Sequence, residues 1–244
     1  MNKIISLQIL LTLSLLCFQL QAQVETKKIK KKTDYTIEEV EVMKSDKSVF
    51  HGSYKKMTKG GIPLEQGFYR NGVKDGVWIY YLRSKPEQSG SYENGKKAGI
   101  WKYYNRKGSL EQEFDYTFMK LVSSSDGIYN VKCDVLIDGE FIEKEVEMKA
   151  TYIGGMSYAL NKFLKIGYPR EAKRQGLSGK VIIEFEIDEF GKASNHKIKQ
   201  SAGTVLDDAV LKGFKSLPNN WLPAIYEKKS ITSKIVCPFT FKLN

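Results

Sequence analysis

Val181-Ile182-Ile183-Glu184-Phe185-Glu186-Ile187-Asp188 is the stretch that decides the fold. Val181, Ile183, Phe185 and Ile187 alternate with Ile182, Glu184, Glu186 and Asp188, which predicts a strand with one apolar face. Such a strand needs neighbours in a sheet and an apolar layer over that face. The flanking sequence supplies both. Downstream, Gly191 fits a turn and Ala193 to Gln200 returns as a second strand. Thr204 reads as a helix N-cap with Asp207 three residues on, where an acidic group also suits the helix dipole. Leu206, Ala209, Val210, Phe214 and Leu217 give that helix an apolar face, and Pro218 ends it. Trp221, Pro223 and Ala224 form a rigid corner, and Ile231 to Leu243 reads as a long closing strand.

Upstream, residues 156–176 predict a helix in two pieces. Tyr158, Leu160, Phe163 and Leu164 supply an apolar face, and Gly167 interrupts. Pro169 suits the first turn of the second piece, Ala172 lies on it and Gly176 ends it. The order helix–helix–strand–strand–helix–strand predicts a three-stranded antiparallel sheet with helices on one face. Further upstream, Tyr129 to Ile137 and Glu140 to Ala150 flank Asp138-Gly139, a hairpin turn dipeptide.

Before that hairpin the chain repeats itself. Gly67-Phe-Tyr-Arg-Asn71-Gly72-Val-Lys-Asp-Gly76-Val-Trp78-Ile-Tyr80-Tyr81 aligns with Gly90-Ser-Tyr-Glu-Asn94-Gly95-Lys-Lys-Ala-Gly99-Ile-Trp101-Lys-Tyr103-Tyr104. The same interval separates both Asn-Gly pairs, both Trp residues and both Tyr-Tyr pairs, so a supersecondary unit recurs. Asn-Gly suits a tight turn at positive φ, and the β-branched and aromatic runs suit strands. Each unit reads as a hairpin whose Trp and Tyr stack on the next. Gly52-Ser-Tyr54 and Gly108 to Tyr116 extend the series weakly, and Tyr35, Ile37, Val40 and Val42 suggest an earlier strand.

Two resemblances follow from these residues. The Gly-x-Tyr…Asn-Gly…Gly-x-Trp-x-Tyr-Tyr pattern resembles MORN-type repeats, in the variant found in exported bacterial proteins and in YwqK-like antitoxins. Gly154-Gly155, Tyr168-Pro169, Gly179 to Phe185, Gly191, Leu206-Asp207, Trp221-Leu-Pro223 and Cys237-Pro-Phe-Thr-Phe241 jointly resemble the C-terminal domain of the TonB family. That resemblance implies an α+β domain which binds a receptor segment as an added strand beside its last strand. Carried onto this chain, the pairing edge comprises Ile231, Thr232, Ser233, Lys234, Ile235, Val236 and Cys237. The implied partner is a TonB-dependent outer-membrane receptor or another envelope protein. Pro238 limits how far pairing extends, since it cannot donate a ladder bond. With 6 prolines in the chain, the long Pro-rich spacer of an energy transducer is missing.

Compartment is read from residues 1–22. Lys3, an apolar run from Ile4 to Leu20 with polar interruptions, and Ala22 make a secretory leader with cleavage before Gln23. An uncleaved anchor is the alternative, although about 20 apolar residues are needed to span a bilayer. Lipid attachment at Cys17 is disfavoured because Leu16 is not small. Removal of the leader leaves Cys133 and Cys237, paired or as two buried thiols.

The formal charge of +11 favours anionic partners, but no basic stripe interleaved with aromatics forms a nucleic-acid module, so none is expected. Membrane association stays open. With two histidines, His51 and His196, and no clustered ligands, phosphate loop or nucleophile elbow, neither catalysis, a metal nor a cofactor is expected. Asp207-Asp208 reads as helix-start charge. The expected organisation is a leader (1–22), a basic polar segment (23–49), a MORN-like β-hairpin repeat sheet (50–118), a linker or hairpin (119–150) and a TonB C-terminal-like α+β domain (151–244). The expected role is an exported envelope binding protein. Alternatives are a scaffold whose aromatic repeats bind glycan, lipid or protein, and a membrane-anchored energy transducer if the leader is retained.

Overall fold

A computed structural model describes residues 24–164 and 167–243. The leader read over 1–22 lies outside the described residues, as do the side chains of Phe163 and Leu164. Two large sheets hold most of the chain, joined by a helix.

The first sheet has nine antiparallel strands in chain order. They are β1 (Thr26–Lys32), β2 (Thr36–Met43), β3 (Phe50–Thr58), β4 (Pro63–Arg70), β5 (Val73–Leu82), β6 (Lys85–Glu93), β7 (Lys96–Tyr104), β8 (Leu110–Asp115) and β9 (Lys120–Ser124). Both Asn-Gly pairs turn as their sequence requires: Asn71 and Gly72 have φ of 50° and 84°, Asn94 and Gly95 of 50° and 78°. The basic cluster of residues 27–32 is an edge strand, with Lys30 on Glu39 at 2.8 Å. Lysines on an edge also discourage pairing with a second chain.

The repeat has a packing reason. The ladder shifts register at Gly67 and again at Gly90, and a Trp lies over each. A Cβ at Gly67 would stand 2.2 Å from the Trp78 ring, and one at Gly90 2.4 Å from Trp101. Each indole N–H donates at 3.0 Å to a backbone carbonyl, of Phe68 and of Ser91. Rings then alternate edge-on across the sheet: Tyr69–Trp78 at 5.1 Å, Trp78–Tyr92 at 6.0 Å, Tyr92–Trp101 at 5.1 Å and Trp101–Tyr116 at 6.1 Å. Edge-to-face packing at this spacing suits the ring quadrupoles. Lys74 and Lys97 cap the indoles at 4.0 and 3.7 Å. A single sheet thus buries two tryptophans completely.

The second sheet has seven strands, in the order β14-β13-β18-β10-β11-β16-β17. Their ranges are β10 (Tyr129–Ile137), β11 (Glu140–Met148), β13 (Gly179–Ile187), β14 (Ala193–Gln200), β16 (Ala224–Tyr226), β17 (Lys229–Ile231) and β18 (Ser233–Phe241). The three strands expected of the C-terminal part are neighbours, but the sheet does not stop at them. The Asp138-Gly139 hairpin joins beside β18, and the corner after Trp221 adds β16 and β17. The segment read as 119–150 therefore divides, its first strand closing one sheet and its hairpin extending the other. A two-stranded piece, β12 (Thr151–Tyr152) with β15 (Trp221–Leu222), completes the strands.

Three helices are described: α1 (Gly155–Leu164), α2 (Arg170–Arg174) and α3 (Thr204–Lys215). None among the described residues is long and apolar enough to cross a membrane. In α3, Leu206, Val210 and Phe214 are buried, with Phe214 5.5 Å from Phe185 of β13. Gly203, not Thr204, is the N-cap. Its φ of 104° suits glycine, and Asp207 folds back to accept the Ala202 N–H at 3.1 Å.

The two sheets meet at α1. Gln112 of β8, fully buried, donates to the Tyr152 carbonyl at 3.2 Å and accepts the Gly154 N–H. Glu111 accepts the Ser157 N–H at 2.9 Å, so the first sheet caps a helix of the second. Gly154 and Gly155 leave room for this: Cβ atoms there would fall 2.5 Å from Tyr158 and 2.4 Å from Glu111.

Candidate strand-docking groove

Strand β18 is paired with β13 along its whole length, from Gly179↔Phe241 to Ile187↔Ser233. Its other edge behaves differently. It meets β10 at Val135↔Ser233, supported by the Leu136 N–H donating to the Thr232 carbonyl at 2.9 Å. Past that point no register joins β10 to β18, and the two strands enclose a groove of about 560 Å³. Lys132, Cys133 and Asp134 form one lip and Lys234 to Pro238 the other, with Ile128 and Met156 also lining it.

The seven residues marked from sequence are therefore not equivalent. Ile231 lies in β17 and pairs with Ala224. Thr232 is engaged by Leu136 through its carbonyl and by Glu189 through its hydroxyl, at 3.0 Å. Ser233 is buried and paired on both sides. Lys234, Ile235, Val236 and Cys237 have β13 on one side and the groove on the other. Val236 is 48% exposed, while Lys234 lies 3.9 Å over the Phe141 ring of β11. Along β18, alternation turns Ser233, Cys237, Phe239 and Phe241 to the buried face and leaves Val236 outward. The β10 lip escaped sequence reasoning. Asp138-Gly139 announced the hairpin, but a turn dipeptide carries no information about which strand the hairpin lies beside.

Cys133 and Cys237 are free thiols lining the same groove. Burial pushes Cys237 up to about 11 and raises Cys133 as well, so both are weak nucleophiles at neutral pH. Among the other flagged residues, His51 shares a 3.1 Å hydrogen bond with Asn71. His196 stacks on Phe185 at 5.1 Å, and burial lowers its proton affinity. Glu184, nearly buried on β13, accepts from Lys199 and Lys197 at 2.8 and 2.9 Å and is held below the usual carboxylate range by them. Among the described residues no three His, Cys, Asp or Glu side chains cluster as a metal site would require.

No curated protein matches the chain. Among solved structures, a chain of the Glycosylation Associate Protein (Gap123) complex from Streptococcus agalactiae is similar at 12% identity and a TM-score of 0.23. The match covers 41% of this chain and spans 18% of that one. The family model described as Gram-negative bacterial TonB protein C-terminal matches residues 165–243, which contain α2, β13, β14, α3 and β18. The C-terminal part is thus similar to TonB C-terminal domains, and here its last strand is flanked by a hairpin from outside the matched region.

Proposed function

We propose that the chain is an exported, non-catalytic envelope protein that takes up an extended segment of a partner as an added strand along Lys234–Cys237. The partner is a TonB-dependent outer-membrane receptor or another envelope protein. One observation carries the reading: the second edge of β18 opens onto a groove instead of continuing into β10. A strand entering there meets backbone of β18 on one side and of β10 on the other, so main-chain hydrogen bonds supply the affinity. Lys132, Asp134 and Lys234 at the lips supply charge preference. The family match to residues 165–243 supports the same reading.

The test is a titration of the isotope-labelled full chain with receptor-derived peptides. Amide shifts should concentrate on Lys234–Cys237 and Lys132–Asp134. Unchanged signals on both lips at saturating peptide would sink the proposal.

A further inference from the structure

A second cavity, of about 310 Å³, lies where the first sheet meets α1. Its walls are the turn after β5, the start of β6, the end of β7 and Asn161 of α1. Three cations line it: Arg83, Lys85 and Arg106. None of the three forms an ion pair among the described residues. Two are held by neutral partners instead: Arg106 Nε donates to Asn161 Oδ1 at 3.0 Å and Lys85 Nζ to the Lys107 carbonyl at 3.0 Å. Asn161 is itself 2% exposed, so the guanidinium is anchored from a buried side chain.

The same cavity is lined by Glu87, which is 7% exposed and whose Oε1 has no hydrogen-bond partner among the described residues. Leaving a buried carboxylate oxygen unsatisfied costs on the order of 1–3 kcal/mol or more, so a native structure that keeps one has a reason for it. Leu82, Pro86 and Tyr104 provide an apolar wall. Cationic forks, one buried acceptor and an apolar wall, in a concavity between two structural units, are the makings of a small-molecule site.

We propose that this cavity binds a free α-amino acid. Arg106 and Arg83, with Lys85, take the carboxylate. Glu87 takes the ammonium, and the apolar side chain lies against Leu82, Pro86 and Tyr104. A simple anion would satisfy the cations but would be repelled by Glu87, whereas a zwitterion answers both. The occupied site ties the β5–β6 and β7–β8 turns to α1, so a bound amino acid stabilises the junction of the sheets.

The experiment is equilibrium dialysis of the full chain against an equimolar mixture of the twenty common amino acids and their mirror images. Retained species are separated on a chiral column and identified by mass spectrometry, and the best is then titrated alone. We expect selective retention of an apolar amino acid, and at least tenfold weaker binding of its analogue lacking the amino group. Glu87→Gln should weaken the amino acid at least tenfold while binding that analogue no more weakly than the wild type does, since the repelling carboxylate is gone. Arg83→Gln, on an exposed turn, should weaken both. Each variant is checked for an unchanged melting curve without ligand. If no amino acid is retained, if the analogue binds as well as its parent, or if a folded Glu87→Gln protein binds unchanged, the proposal is wrong. Peptide binding in the β10–β18 groove is read separately and is unaffected by either result.

Discussion

Gly90 has no side chain because the Trp101 indole stands where one would be. Gly90→Ala should therefore cost about 2–3 kcal/mol, as overpacking and the disturbed bulge combine. Gly76→Ala, where a Cβ meets nothing within 4 Å but φ is 62°, should cost about 1 kcal/mol, and urea denaturation of both variants separates close packing from backbone strain. Lys97 is the residue whose titration the repeat controls. Burial lowers it from 10.5 to about 7, although it donates to Gln88 at 2.9 Å and Tyr103 at 3.1 Å. Between those two values the unfolded chain holds the proton and the native chain does not. Stability from this group is therefore greatest above pH 10.5, falls as pH is lowered towards 7, and is flat below. Comparing wild type with Lys97→Met across pH 7–10 should isolate that slope, and identical slopes would refute a depressed Lys97. The periodic Trp, Asn-Gly and Gly positions were legible in the sequence because each obeys a local rule. The role of Lys97 was not, since its surroundings come from three strands.

At the scale of elements, turns and alternation predict strands well and neighbours poorly. Val181 to Ile187 and the strand pair flanking Asp138-Gly139 sit where their patterns place them. That the hairpin extends the C-terminal sheet depends on Val135 meeting Ser233, a long-range pairing that local periodicity does not encode. The groove shares this fate: its β18 lip could be named from the family resemblance, its β10 lip could not. The cap on α1 is another long-range device. Gln112→Ala leaves the Gly154 N–H and the Tyr152 carbonyl unpartnered, so it should destabilise by roughly 3 kcal/mol. Gly155→Ala, at φ 80° and against Glu111, should match it. Circular-dichroism melts measure both, and a double variant falling short of the sum would show the coupling expected of one joint.

At the scale of the whole molecule, the chain is two sheets of contrasting construction. The first is a meander whose strands pair with their neighbours in sequence, which favours fast formation from local contacts. The second is assembled from distant pieces: β10 and β18 are flanking strands although residues 138–232 separate them. Removing residues 233–243 should therefore abolish the second sheet and leave the first, whose last strand ends at Ser124. Hydrogen exchange would show this as protection confined to residues 26–124; protection persisting in β10 and β13 would contradict it. The position of β18 also bears on timing. It is the last strand of its sheet in chain order but lies inside it, between β13 and β10. Until Ser233–Phe241 has been made, β14-β13 and β10-β11 are two ribbons with no strand to join them. A polypeptide arranged this way completes its first sheet from residues already made, while its second sheet waits for the final strand to close.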